Sequence, residues 1–158
     1  MASVHTGESL KNTVLSLSLH VPAVGETIST YAYPKTDMEY SGSPSGSTSG
    51  INFVSNWYHG TVTDLYPHGM GWITSAALAA DMPSLGGCSG GPVFSEHGGG
   101  GVVGINSAGI EDDINIVSLT SAVLDVTFFD ITIGQDHHEH ATIQQLINSG
   151  FISVVTTQ

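Results

Sequence analysis

Apolar and polar residues alternate over Val14-Leu15-Ser16-Leu17-Ser18-Leu19, the two-residue period of a half-buried strand. His20 to Glu26 carries Pro22 and Gly25 and reads as a turn, and Thr27 to Tyr33 is a second strand that Pro34 stops. Lys35 to Gly50 is rich in Ser, Gly, Thr and Pro and has no apolar period, so it reads as a surface loop. Strand patterns return over Ile51 to Tyr58 and Thr61 to Leu65, on either side of His59-Gly60. Gly71 to Ala76 begins another strand, and Ala77 to Gly91 reads as a long irregular loop. Pro92 to Ser95 and Val102 to Ser107 are strands joined by the Gly98–Gly101 turn, and Ile114 to Leu119 is a further strand after an acidic turn. The period then changes. Ile143, Leu146 and Ile147 fall at i, i+3 and i+4, with Gly150 just past the last turn, which predicts one amphipathic helix of about ten residues.

Six or seven short strands and one terminal helix predict an all-β chain closed into a small antiparallel barrel. The expected organisation is an arm or linker over 1–13, a barrel over 14–135, and a helix with its tail over 136–158. The 158 residues are enough for one domain, and 20 glycines with many Val, Ile, Thr and Ser agree with strands and turns. The net charge of −12 comes from scarce base, since Lys11 and Lys35 are the two basic residues. Without clustered Lys or Arg, neither nucleic acid nor an anionic membrane surface is an expected partner. No stretch approaches the ~18 apolar residues of a spanning helix, and the start of the chain lacks a charged-then-apolar signal, which points to the cytosol. Cys88 is the single cysteine, so no disulfide forms within the chain.

The densest chemistry lies in Gly87-Cys88-Ser89-Gly90-Gly91-Pro92-Val93-Phe94. A serine hydroxyl attacks a carbonyl only with a base to take its proton, a group to orient that base, and donors for the oxyanion. Glycines around a serine let the amides of Gly87 and Ser89 converge on one point and leave room for a substrate backbone.

With this motif the chain resembles the trypsin-like serine peptidases, in particular the disulfide-poor bacterial branch that includes the HtrA-type proteases. Further segments carry the resemblance: Pro22 to Thr27 running into Ala32-Tyr33-Pro34, then Trp72 to Ala76, then Gly101 to Gly109. It covers about Val14 to Val126 and implies a chymotrypsin-like six-stranded antiparallel barrel, the second of the family's two. It implies Ser89 as nucleophile, with Gly87 and Ser89 giving the oxyanion amides. Asn106, Ser107 and Ala108 would be the edge that pairs with an extended peptide or protein substrate, and Gly109 would sit at the mouth of the primary pocket. Pro83 and Ser84 match the pocket floor, where trypsin has an aspartate, so a small or apolar side chain is the expected preference. Cys88 stands where trypsin has the aspartate that receives the new N-terminus, so activation of that kind is not expected. A cysteine-nucleophile frame on Cys88 would lose the Ser-Gly-Gly-Pro continuation; a small semi-buried residue holding the loop is the plainer role.

The resemblance places the catalytic histidine and aspartate on a first barrel, and no segment here matches either. His20, His59, His68 and His97 read as solvated turn or strand-end residues. His137-His138-Glu139-His140 is dense enough to consider a metal, but adjacent residues rarely converge on one ion, so a solvated turn is expected. No cofactor or metal is expected. A barrel lacking its companion should expose an apolar face near Ser89, where a first barrel on another chain or a second copy would bind. The alternative is a pseudoprotease or peptide-binding module without hydrolysis.

Overall fold

The computed structural model describes residues 15–43, 46–110, 114–133 and 136–155. The expected arm over 1–13 and the acidic turn at 111–113 lie outside the described residues. The strands are β1 (Leu17–Ser18), β2 (Thr27–Ser43), β3 (Gly46–Tyr66), β4 (Ala77–Ala80), β5 (Pro92–Ser95), β6 (Val102–Ile110), β7 (Ile114–Leu119), β8 (Thr127–Ile133), β9 (Asp136–Thr142) and β10 (Val154–Val155). One α-helix, α1 (Ile143–Asn148), lies among them.

Six strands close a ring. β2 pairs with β3, β3 with β4, β4 with β7, β7 with β6, β6 with β5, and β5 returns to β2, every pairing antiparallel. The chain is therefore an all-β closed barrel with one short helix, as its strand pattern predicts. β1 and β10 join it in parallel at Val102, and β8 with β9 form a separate hairpin.

Alternation sets what the ring encloses. Ile28, Val62, Leu78, Met82, Val93, Val103, Val117 and Leu119 are buried together as the core. Burying each such side chain contributes about 1.5–3 kcal/mol. β4 is buried on both faces: Leu78 and Ala80 point inward, while Ala77 and Ala79 meet Ile116, with Tyr66, Met70 and Ile73 packed over them. Met70 and Ile73 bridge each other, tying this covering segment down.

Four elements depart from the sequence pattern. Gly71 to Ala76 is not a strand, and the strand occupies Ala77–Ala80, inside the expected loop. A strand covered on both sides is apolar throughout and shows no alternation to read. β2 runs past Pro34 into a long hairpin with β3, where a loop was expected; the register shifts between Ala32 and Lys35. A proline lacks the ladder N–H, and such a shift lets the strand pass it. The helix is six residues long rather than about ten, opened by a reciprocal cap. Gln145 N–H donates to Thr142 Oγ1 at 3.1 Å and Thr142 N–H to Gln145 Oε1 at 2.8 Å. His137 and His140 lie in β9, not in a turn. Among the described residues no helix is long and apolar enough to cross a membrane.

Leu78→Ala should cost about 2–5 kcal/mol in urea unfolding, because the fully enclosed ring leaves little freedom to collapse onto the cavity. Thr63→Ala, at an exposed position of β3, should stay within about 0.5 kcal/mol.

Candidate functional site

The segment between β4 and β5 rests on the barrel at fixed points. Cys88 N–H donates to Leu85 O at 3.1 Å, and Gly91 N–H to Cys88 O at 3.0 Å, closing two successive turns. Gly90 N–H donates to Asn106 O at 2.8 Å and Asn106 N–H to Gly91 O at 3.0 Å, so the loop docks on β6 where β5 begins. Beneath it, Asn106 Nδ2 donates to Thr30 Oγ1 at 2.7 Å, and Thr30 Oγ1 donates to Pro92 O at 2.8 Å. Asn106 Oδ1 is buried without a hydrogen-bond partner. This chain of contacts is internal, so Asn106 offers the loop its backbone while its side chain fills the core.

Gly87 and Gly90 have φ of +93° and +84°, in the left-handed region where side chains are strained. At Gly87 space matters as well, since a Cβ there would collide with the carbonyl oxygen of Tyr33, beside the register shift of β2. The amides of Gly87 and Ser89 donate to no backbone carbonyl among the described residues, whereas those of Cys88, Gly90 and Gly91 are committed. Ser89 is exposed, and Cys88 next to it is buried. The buried thiol is packed as a small apolar residue, which disfavours a role as an accessible nucleophile.

Ser89, Gly87, Gly90 and Gly91 line a cleft of about 400 Å³ with Tyr31 and Tyr33. A second hollow of about 450 Å³ lies against Leu85 and Gly86, walled by Pro34, Val54 and Tyr58. On the outer face of the ring, Tyr31 stacks obliquely on Trp57 at 5.2 Å and meets Tyr33 edge-on at 5.7 Å; Trp57 also meets Phe94 at 5.8 Å. Trp57 is 51% exposed and Tyr33 45%, so an aromatic face borders the cleft.

The substrate-binding positions implied by the resemblance are distributed along two segments. β6 pairs with β5 no further than Ile105, so among the described residues Ala108 and Gly109 have a strand neighbour only in β7, and Ser107 sits at the register shift beside them. Ser107 is exposed, its hydroxyl on Ser118 Oγ at 2.7 Å. Ala108 packs toward Ile116, and Gly109 is exposed opposite Asn115. Pro83 and Ser84 are half-buried, and Asn115 Nδ2 holds the carbonyl of Pro83 at 2.8 Å and that of Met82 at 3.3 Å.

Among the described residues no histidine or carboxylate hydrogen-bonds Ser89. His59 is exposed on β3 and shares a 2.7 Å hydrogen bond with Ser29 through Nδ1. His68 is exposed in a turn. His97 is exposed, as its sequence reading has it, and His20 is half-buried rather than solvated; both converge on Glu26. His20 Nε2 lies 2.8 Å from Glu26 Oε1 and 3.1 Å from Oε2, and His97 Nδ1 lies 3.5 Å from Oε1. Ser95 Oγ also donates to Glu26 Oε1, and Ala23 N–H to Oε2 at 3.0 Å. Glu26 is buried. No spacing signal marks this cluster, since Glu26 and His97 are joined only when the β5–β6 turn folds over the start of β2. The chain matches no protein-family model and no curated protein sequence.

Burial pushes the Glu26 carboxyl up, but the hydrogen bonds from Ser95, Ala23 and His20, together with the His20 charge, outweigh it and hold the group below its usual range. A carboxylate depressed in the folded state adds stability that is fully present above its ordinary pKa of about 4.3 and is lost as pH falls through the folded value. Urea unfolding measured from pH 6 downward should therefore show a decline below about pH 4.3 that Glu26→Gln flattens. Gly87→Ala should lower stability by about 1–3 kcal/mol through its left-handed φ and the collision with Tyr33, read by the same unfolding experiment.

Proposed function

We propose that this chain is the nucleophile-bearing barrel of a trypsin-like serine endopeptidase, working with a histidine and an aspartate from a first barrel. The observation that carries the reading is the Gly87–Pro92 loop. It presents an exposed Ser89, with two uncommitted amides beside it, at a cleft next to the unpaired end of β6. Ser89 Oγ attacks the scissile carbonyl as its proton passes to the incoming histidine. The amides of Gly87 and Ser89 receive the oxyanion, the amine leaves, and water hydrolyses the acyl-enzyme. Because the loop already holds the backbone of Asn106, an extended substrate adds to the edge of β6 just beyond it, at Ser107 and Ala108, with its primary side chain entering past Gly109 toward Pro83 and Ser84. That floor has no acid, which suits a small or apolar side chain. The aromatic face of Tyr31, Tyr33 and Trp57 has the character of a docking surface for the first barrel.

One observation favours a second reading, a peptide-binding module without hydrolysis: the Ser89 hydroxyl has no base among the described residues. A fluorophosphonate probe separates the two. Labelling of Ser89 in this chain alone should be slower than in a complete protease by on the order of 10³-fold or more. A first barrel supplied in trans should restore it, and Ser89→Ala should abolish it. Absence of restored labelling, with peptide affinity unchanged in Ser89→Ala, would establish the binding module. Rapid labelling of the chain alone would sink both.

A further inference from the structure

Independently of the reading of Ser89, we propose that His20, Glu26 and His97 form a binding site for a divalent transition-metal ion of the zinc type. His20 leads into the β1–β2 turn, Glu26 directly precedes β2, and His97 sits in the β5–β6 turn. One donor atom from each lies within 4.8 Å of the other two. A tetrahedral centre with bonds of about 2.1 Å holds its donors about 3.4 Å apart. The separations from Glu26 Oε1, 2.8 Å to His20 Nε2 and 3.5 Å to His97 Nδ1, bracket that value. Small side-chain rotations would bring all three onto one ion.

The donor set decides the class of ion. Two imidazoles and one carboxylate suit zinc and its first-row neighbours, whereas calcium and magnesium require oxygen around them. The carboxylate is already fixed, since Ser95 Oγ and the Ala23 amide hold it and leave it facing the two rings. No Lys or Arg pairs with Glu26 among the described residues, and the groups near it that could carry positive charge are the two imidazoles. His97 is 67% exposed, which gives the ion a way in without opening the barrel. On binding, His20 takes the neutral tautomer that carries its proton on Nδ1, so that the Nε2 lone pair now turned to Glu26 meets the ion. The fourth position is left to a water molecule. The bound ion would tie the segment preceding β2 to the tip of the β5–β6 hairpin.

Zinc titration followed by calorimetry tests this, with His137→Ala/His140→Ala as the background that reduces the second histidine-rich segment to the single imidazole of His138. One equivalent should bind in that background, and zinc should raise the melting temperature. Adding His97→Ala should weaken binding by about 100-fold or more and abolish the zinc-induced rise, given that losing even an outer partner of a ligand costs about 10–100-fold. His97 is exposed, so the variant should keep the melting temperature of its background without zinc. Addition of His20→Ala instead should weaken binding similarly. No uptake by the wild type, uptake lost entirely in the His137→Ala/His140→Ala background, or uptake unchanged by His97→Ala and His20→Ala would overturn the proposal.

Discussion

The stagger of β6 between its two neighbours governs both the barrel and the cleft. β6 bonds β5 only over Val102 to Ile105 and bonds β7 over Gly104 to Ile110. An offset of this kind is what lets tilted strands close on themselves, and it leaves half of one strand with a free edge. The loop carrying Ser89 lands at the point where that edge begins, fixed by the paired bonds between Asn106 and Gly90-Gly91. Ring closure and site formation are thus one event. A shift of β6 by one residue would turn Val103 outward and carry Asn106 away from Thr30.

Rigidity under the loop comes from small polar contacts rather than apolar bulk. Thr30, Asn106 and the Pro92 carbonyl form a buried line in which one hydroxyl both gives and receives. Such contacts are directional, and they hold the loop in one register where apolar packing alone would permit several. Just before β2 begins, Glu26 does comparable work by gathering Ser95, His20 and the Ala23 amide. A buried carboxylate without these donors would be strongly unfavourable.

Parts of this arrangement were legible before folding. The alternation of Ile28, Thr30 and Ala32 with Ser29 and Tyr31 marks the inner and outer faces of β2. The glycines around Ser89 announce a loop with unusual backbone conformations, and two of them have positive φ. The β4 alanines were illegible because both of their faces are covered, which erases the period. The meeting of His20 and His97 on Glu26 was illegible because Glu26 is far from His97 along the chain and no local pattern records a contact made across a barrel.

Sequence alone determined the class of architecture, the position of the exposed serine loop and the scarcity of basic charge, because these depend on local period, glycine placement and composition. Tertiary structure decided the rest. It set which strands meet, where β6 is left open, which amides of the loop stay uncommitted, and that two distant histidines share one buried carboxylate. Those features depend on strand register and closure, which join residues far apart in the chain and leave no mark on their neighbours in sequence.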